Sequence, residues 1–290
     1  MSDAILLNHK DLVQPFKYRY LDGTNTSRPY FYGDPKKGWA MWIRPGQSPN
    51  RGSGFTGKLH IDKINVKEVK CVIFTSGFGS TGGNGIGGGQ YDKAEGGRGG
   101  NGGYYTTFTV PFEKGMDFAI SIGAPGRWRG GSPDAASVNI IYPLGSANNN
   151  RTITVNSNSI PGGKGGKGGY YYSSDGVHEE GYNGGPGILL PNSELYIGSK
   201  IIVCNGGGGQ GGTGNDNWQG YTRSGGYGGG QGSKFPAPNG ADGARSCDYA
   251  WATLGEPGTG NGAGGTGYSG CHEKEFRGTG SIGGFWMTVA

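Results

Sequence analysis

Several stretches carry residue types and spacings that could do chemistry. Gly77–Gly82 reads GFGSTG, a GxGxxG directly after a strand-like run. In a dinucleotide site that spacing lets backbone approach the pyrophosphate, which rests on the N-terminus of the following helix. Here GNGIGGGQ follows, and a glycine costs a helix roughly 1 kcal/mol, so no stable helix is expected. Gly83–Gly88 repeats the pattern, as chance allows in a chain with 67 glycines. Lys164 and Lys167 in GGKGGKGG suggest a phosphate loop, but position 161 is Pro where the pattern needs Gly, and Gly168 replaces Ser or Thr. His178-Glu179-Glu180 and His272-Glu273 have acid–base side chains but read as charged loop residues. Asp216, Asp242, Glu256 and Glu273 could cleave a glycan only as a pair in one cleft, and nothing in the sequence brings two of them together. No HExxH and no nucleophile elbow occurs. The expectation is a protein that is not an enzyme.

Metal and cofactor chemistry is also not expected. The four cysteines are Cys71, Cys204, Cys247 and Cys271, with no CxxC, and the four histidines are far apart. Cys71 and Cys204 sit in strand-like runs and read as small core residues. Cys247 and Cys271 lie in loop-like stretches, where a disulfide between them is one option.

The strongest signal is a repeat. Gly96–Tyr105 reads GGRGGNGGYY and Gly162–Tyr171 reads GGKGGKGGYY. Period three is neither helix nor strand; it belongs to the extended conformer with three residues per turn and about 3.1 Å rise. Such a thread makes no internal hydrogen bonds, so its N–H and C=O groups must find lateral partners. Glycine loses the most backbone entropy on ordering, and fixing each residue costs roughly 1–2 kcal/mol. Several threads packed side by side without Cβ atoms can recover that. A polyglycine-II bundle is therefore expected, with Arg98, Asn101, Lys164, Lys167, Gln210 and Thr213 on its outer faces and the connecting segments at its ends.

Seven runs rich in β-branched and aromatic residues must position these threads: Val69–Thr75, Tyr105–Val110, Phe118–Ile122, Ser137–Tyr142, Arg151–Val155, Glu194–Cys204 and Phe285–Val289. Gly115 closes a turn that suggests a hairpin between the second and third. The fold class expected is all-β: antiparallel, sandwich-like strands combined with polyglycine-II helices and no substantial α-helix. Residues 1–57 differ, with dense aromatics (Tyr30, Tyr32, Trp39 and Trp42 among them) and few GG pairs. A boundary near Gly57 would separate an N-terminal attachment region, 1–57, from a glycine-rich domain, 58–290.

Glycine and proline together exceed a quarter of the 290 residues, a composition typical of disorder. The alternation of glycine runs with strand-like runs argues instead for order. The net charge of +5 is scattered, without a basic cluster, and only Arg98 and Arg129 begin RGG elements, so no nucleic-acid partner is expected. No secretory signal is visible at MSDAILLNHKDL, and no apolar run approaches a membrane span. The expectation is a soluble chain that does not insert into a membrane, in which the sequons at Asn25 and Asn150 carry no weight.

Gly102–Gly126, GGYYTTFTVPFEKGMDFAISIGAPG, resembles the glycine-rich domain recurrent in phage tail proteins. The glycine runs also resemble the distal tail-fibre adhesins of T-even-type phages, in which polyglycine-II strands form a sandwich and the intervening segments bind the host receptor. The resemblance covers about residues 60–290. It implies a non-enzymatic receptor-binding protein of the virion, made in the host cytoplasm. Its partners would be a host surface receptor, outer-membrane protein or polysaccharide, and other tail proteins through the N-terminal region. The implied receptor-facing residues lie on the connectors: Arg127, Trp128, Arg129, Tyr171, Tyr172, His178, Asn215, Trp218, Tyr221, Arg223, Phe235, Tyr249, Trp251, Tyr268 and His272. Attachment would fall to Tyr30, Tyr32, Trp39 and Trp42. The competing class is a structural glycine-rich protein, such as a virion decoration.

Overall fold

The computed structural model describes residues 16–34, 38–45, 53–64, 66–79, 84–85, 93–95, 100–127, 130–165, 170–172, 177–179, 188–189, 202–203 and 280–288. These residues form strands and no helix. Sheet A has the order β1 (Phe16–Asp22), β4 (Phe55–Ile64), β9 (Met116–Ile122), β10 (Ala136–Ile141) and β11 (Arg151–Val155). Sheet B has the order β12 (Ile160–Pro161), β8 (Tyr104–Pro111), β5 (Glu68–Phe74), β17 (Gly284–Thr288), β3 (Gly38–Pro45) and β2 (Ser27–Asp34). Every pairing in both sheets is antiparallel. Two smaller sheets accompany them. One joins β14 (Val177–Glu179), β13 (Tyr170–Tyr172), β7 (Lys93–Glu95) and β6 (Asn84–Gly85); the other joins β15 (Ile188–Leu189) and β16 (Ile202–Val203). Strands occur in six of the predicted runs, and of the seventh, Glu194–Cys204, only Ile202–Val203 lies within the described residues, as β16.

One core joins the two large sheets. Leu59, Ile61, Phe118, Ile120, Val138 and Ile140 face it from sheet A; Met41, Ile43, Val69, Cys71, Ile73, Phe285 and Met287 face it from sheet B. Successive side chains in a strand point to opposite faces, and sheet A follows that rule plainly. In β9, Met116, Phe118, Ile120 and Ile122 are buried while the residues between them are half-buried. The outer face of sheet A is mostly polar, with Leu21 of β1 exposed on it.

Sheet B differs. Ala40, Trp42, Val72, Phe74 and Trp286 point away from the shared core yet are fully buried. Trp42 and Trp286 are directly opposed in register, and their rings meet edge to face at 5.4 Å; Trp42 also meets Phe74 at 6.4 Å. Strands buried on both faces read as continuous apolar runs, which is why β3, β5 and β17 contain AMWI, VIF and FWM.

Two expectations need correction. The turn at Gly115 exists, with φ +86°, but it does not close a hairpin. β8 belongs to sheet B and β9 to sheet A, so the turn carries the chain across the core, and Gly115 N–H donates to the Ile61 carbonyl of β4 (2.9 Å). The boundary near Gly57 falls inside β4. β1 pairs with β4 along its length, and β3 pairs with the C-terminal strand β17. Residues on both sides of Gly57 therefore share one sandwich.

The corner between β1 and β2 shows how the N-terminal strands switch sheets. Asp22 accepts from the Thr24 and Ser27 backbone N–H groups and from both hydroxyls, and Asn25 takes the left-handed conformation (φ 56°), which Asn tolerates. Partial burial pushes the Asp22 carboxyl up, but these hydrogen bonds outweigh it and hold the group below its ordinary range. Tyr20 Oη bonds Ser27 Oγ (2.8 Å). Burial pushes the Tyr20 phenol up to about 12, opposed by the Ser27 bond and helped by Asp22.

Candidate functional site

Five glycine-bearing segments meet at one end of the sandwich. Residues 75–79 leave β5, 100–103 enter β8, 123–126 leave β9, 162–165 leave β12 and 280–283 enter β17. The registers place these strand ends together: Phe74 lies opposite both Gly284 and Tyr105, and Tyr104 opposite Pro161. Two buried hydroxyls tie the segments where they leave the sheets. Ser76 Oγ donates to the Gly123 carbonyl (2.7 Å) and accepts from Gly283 N–H (3.1 Å). Thr75 Oγ1 accepts from Tyr104 N–H (2.9 Å).

Beyond these ties the segments bond backbone to backbone. Gly77 N–H donates to Ser281 O (2.8 Å), Gly126 N–H to Gly77 O (2.9 Å) and Gly280 N–H to Gly126 O (3.0 Å). Each of three threads thus bonds to both others. In a sheet the outer two of three strands never touch, so this closed triangle is not a piece of sheet. The thread at Gly77–Gly79 has further neighbours: Phe78 N–H donates to Asn101 O (2.9 Å) and Gly79 N–H to Gly131 O (2.9 Å). Gly102 N–H donates to Gly163 O (2.8 Å). A Cβ on Gly126 would fall 2.0 Å from Gly131 O and 2.6 Å from Gly79 N, so only glycine permits this approach.

Two of the predicted outer positions can be checked. Asn101 and Lys164 are exposed. Asn101 also does something not foreseen: its Oδ1 accepts from Gly165 N–H (2.8 Å), linking two threads. Arg98, Lys167, Gln210 and Thr213 lie outside the described residues.

Arg127 is exposed at the rim of this platform. The loop that begins there is pinned, since Gly131 N–H donates to Arg127 O (3.0 Å) and Gly131 O accepts from Gly79. Trp128 and Arg129 lie outside the described residues. Tyr171 and His178 are directly opposed in β13 and β14, with Tyr172 opposite Val177; β13 also pairs with β7. Asn215, Trp218, Tyr221, Arg223, Phe235, Tyr249, Trp251, Tyr268 and His272 lie outside the described residues.

The attachment candidates separate. Tyr30 is half-buried on the outer face of sheet B, whereas Trp42 is completely buried and cannot anchor a partner. Tyr32 and Trp39 stand in β2 and β3.

A charged cluster crosses the outer face of sheet A, where Arg19, His60 and Asp117 share one cross-strand row. His60 Nδ1 lies 2.6 Å from Asp117 Oδ1 and Nε2 lies 3.1 Å from Asp62 Oδ1. The ring can donate to both only as imidazolium. Lys58 Nζ contacts Asp117 Oδ2 at 2.7 Å. Partial burial pushes the Asp117 carboxyl up, but bonds from Lys58 and His60 more than offset it and hold it below its ordinary range. Among the described residues no three His, Cys, Asp or Glu side chains gather as a metal site.

No family model, curated protein or solved structure matches this chain.

Proposed function

We propose that this chain is a non-enzymatic receptor-binding protein of a phage tail fibre or tail tip, presenting connector loops to a bacterial surface receptor. The observation that supports this reading most is the triangle of bonds joining Gly77, Gly126 and the Gly280–Ser281 thread. It makes a stiff end to the sandwich from which a loop with Arg127 at its rim departs. Binding residues commonly sit on loops held by a rigid scaffold, and glycine threads let those loops vary without disturbing a core. On this reading the threads continue as a polyglycine-II bundle. The aromatic and charged connectors make the contact, and attachment to the virion uses exposed parts of the N-terminal strands. The resemblance of Gly102–Gly126 to phage glycine-rich domains points the same way.

The test is an exchange of connectors. Replacing residues 215–223 and 234–251 with those of a homologous chain of different host range should redirect adsorption to the other host while the thermal midpoint stays nearly fixed. If the midpoint collapses and adsorption is unchanged, the connectors are structural and the chain is a virion decoration.

A further inference from the structure

The outer face of sheet B carries a second arrangement that the receptor-binding reading does not use. Arg28 of β2 and Arg44 of β3 are directly opposed in register. Like charges in that position repel. Both guanidiniums gather on one ring: the Arg44 guanidinium carbon lies 4.1 Å from the Tyr30 centroid and that of Arg28 5.3 Å. Arg28 Nε donates to Tyr30 Oη (3.0 Å). Arg44 also lies 5.8 Å from the Trp42 ring, and its Nε is buried without a hydrogen bond. None of the ion pairs among the described residues includes Arg44.

Two positive groups held together by an aromatic face, with Arg44 in no ion pair among the described residues, are what an oxyanion needs. Contact with the ring restrains both guanidiniums in advance, and guanidinium forks match the oxygens of phosphate. We propose that Arg28, Arg44 and Tyr30 form a binding site for a phosphate-type oxyanion, free or esterified to a saccharide. The site lies where β2 and β3 reach the glycine-thread end of sheet B, because Ile43, next to Arg44, pairs with Phe285 at the start of β17. It stands independently of the adhesin reading.

Calorimetric titration of the full chain at neutral pH and constant ionic strength tests this, with inorganic phosphate, glucose 6-phosphate and glucose as probes. Saturable binding of phosphate or its sugar ester, but not of glucose, is expected. Tighter binding of the ester than of phosphate identifies the esterified form as the ligand; equal binding identifies the free anion. Arg44→Gln and Arg28→Gln should each weaken binding about tenfold or more, while Lys114→Gln, in the exposed turn before Gly115, should leave it unchanged. Arg28 stands on an edge strand, so its variant keeps the test decisive if Arg44→Gln fails to fold. No saturable binding, or equal loss in the Lys114 variant, overturns the proposal.

Discussion

The Gly280 Cα sits so close to the Gly77 carbonyl that a Cβ built on it would fall 1.9 Å from the oxygen. Backbone, not a flexible side chain, is what it would strike. Gly280→Ala must therefore push two threads apart, breaking the Gly77–Ser281 and Gly280–Gly126 bonds together. A loss of at least about 3 kcal/mol is expected, in the range of buried backbone disruption. Gly145→Ala is the control. Nothing lies within 4 Å of its Cβ position, and only φ +87° opposes it, a strain of roughly 1–2 kcal/mol. Denaturant unfolding of both variants checks the difference; equal losses would mean that the close approach carries no energy.

The same bonds predict hydrogen-exchange protection. Amides of Gly77, Phe78, Gly79, Gly126 and Gly280 each donate within the platform and should exchange far more slowly than a free glycine peptide, close to the rate of β5 and β17. Ser132 and Asn149, which are exposed and donate in none of these backbone bonds, supply the fast reference. Platform amides exchanging as fast as Ser132 would remove the physical basis of the receptor-binding reading.

Much of this was legible in the sequence, for identifiable reasons. The alternation in β9 and β10 and the continuous runs of β5 and β17 mark strands directly, because burial on one or both faces writes itself into residue type. Between the two period-three repeats, the described part shows one lateral backbone bond, from Gly102 N–H to Gly163 O; the triangle of Gly77, Gly126 and Gly280–Ser281 lies outside them. Sheet membership was not legible: TVPFEKGMDF has the spacing of a hairpin, and only the competition of β5 for β8 and of β4 for β9 sends the two strands to different sheets. The aromatics of 16–45 suggested a separate unit because no local pattern reveals that β3 pairs with a strand more than two hundred residues away. The Asn101 bond to Gly165, the ties of Ser76 and the Arg28–Arg44 pair carried no signal, since each joins residues distant in sequence.

Acid should weaken the fold through Asp117. Its carboxyl titrates below the ordinary value in the folded chain, so the folded state favours the carboxylate. That contribution is complete above the ordinary carboxylate range and disappears as pH falls through the lower, folded value. Wild-type stability should therefore drop below about pH 4, while Asp117→Asn should be less stable at neutral pH and show a shallower acid limb. Melting midpoints measured between neutral and strongly acidic pH check this; parallel curves for the two proteins would contradict it.

Cys71 should be chemically silent in the native protein. It is 2% exposed in the shared core, and burial pushes its thiol far up, only partly opposed by Arg151. The thiolate is the reactive form, so a thiol reagent should label Cys71 only under denaturing conditions. Peptide mapping after labelling reads this site separately from the other cysteines.

Trp42 and Tyr30 stand opposite one another in register, yet they should behave differently. Trp42 meets Trp286 and Phe74 edge to face and is wholly buried. Trp42→Ala should cost about 3–5 kcal/mol, as other large-to-small aromatic truncations do. Tyr30 is half-buried at an edge strand, and its replacement by Ala should cost about 1 kcal/mol. Chemical denaturation of the two variants decides whether the N-terminal aromatics act as core or as surface. A small loss at Trp42 would show that the second apolar layer on sheet B contributes little, and a loss at Tyr30 as large as that at Trp42 would place Tyr30 within that layer rather than on a face free to meet a ligand or a partner.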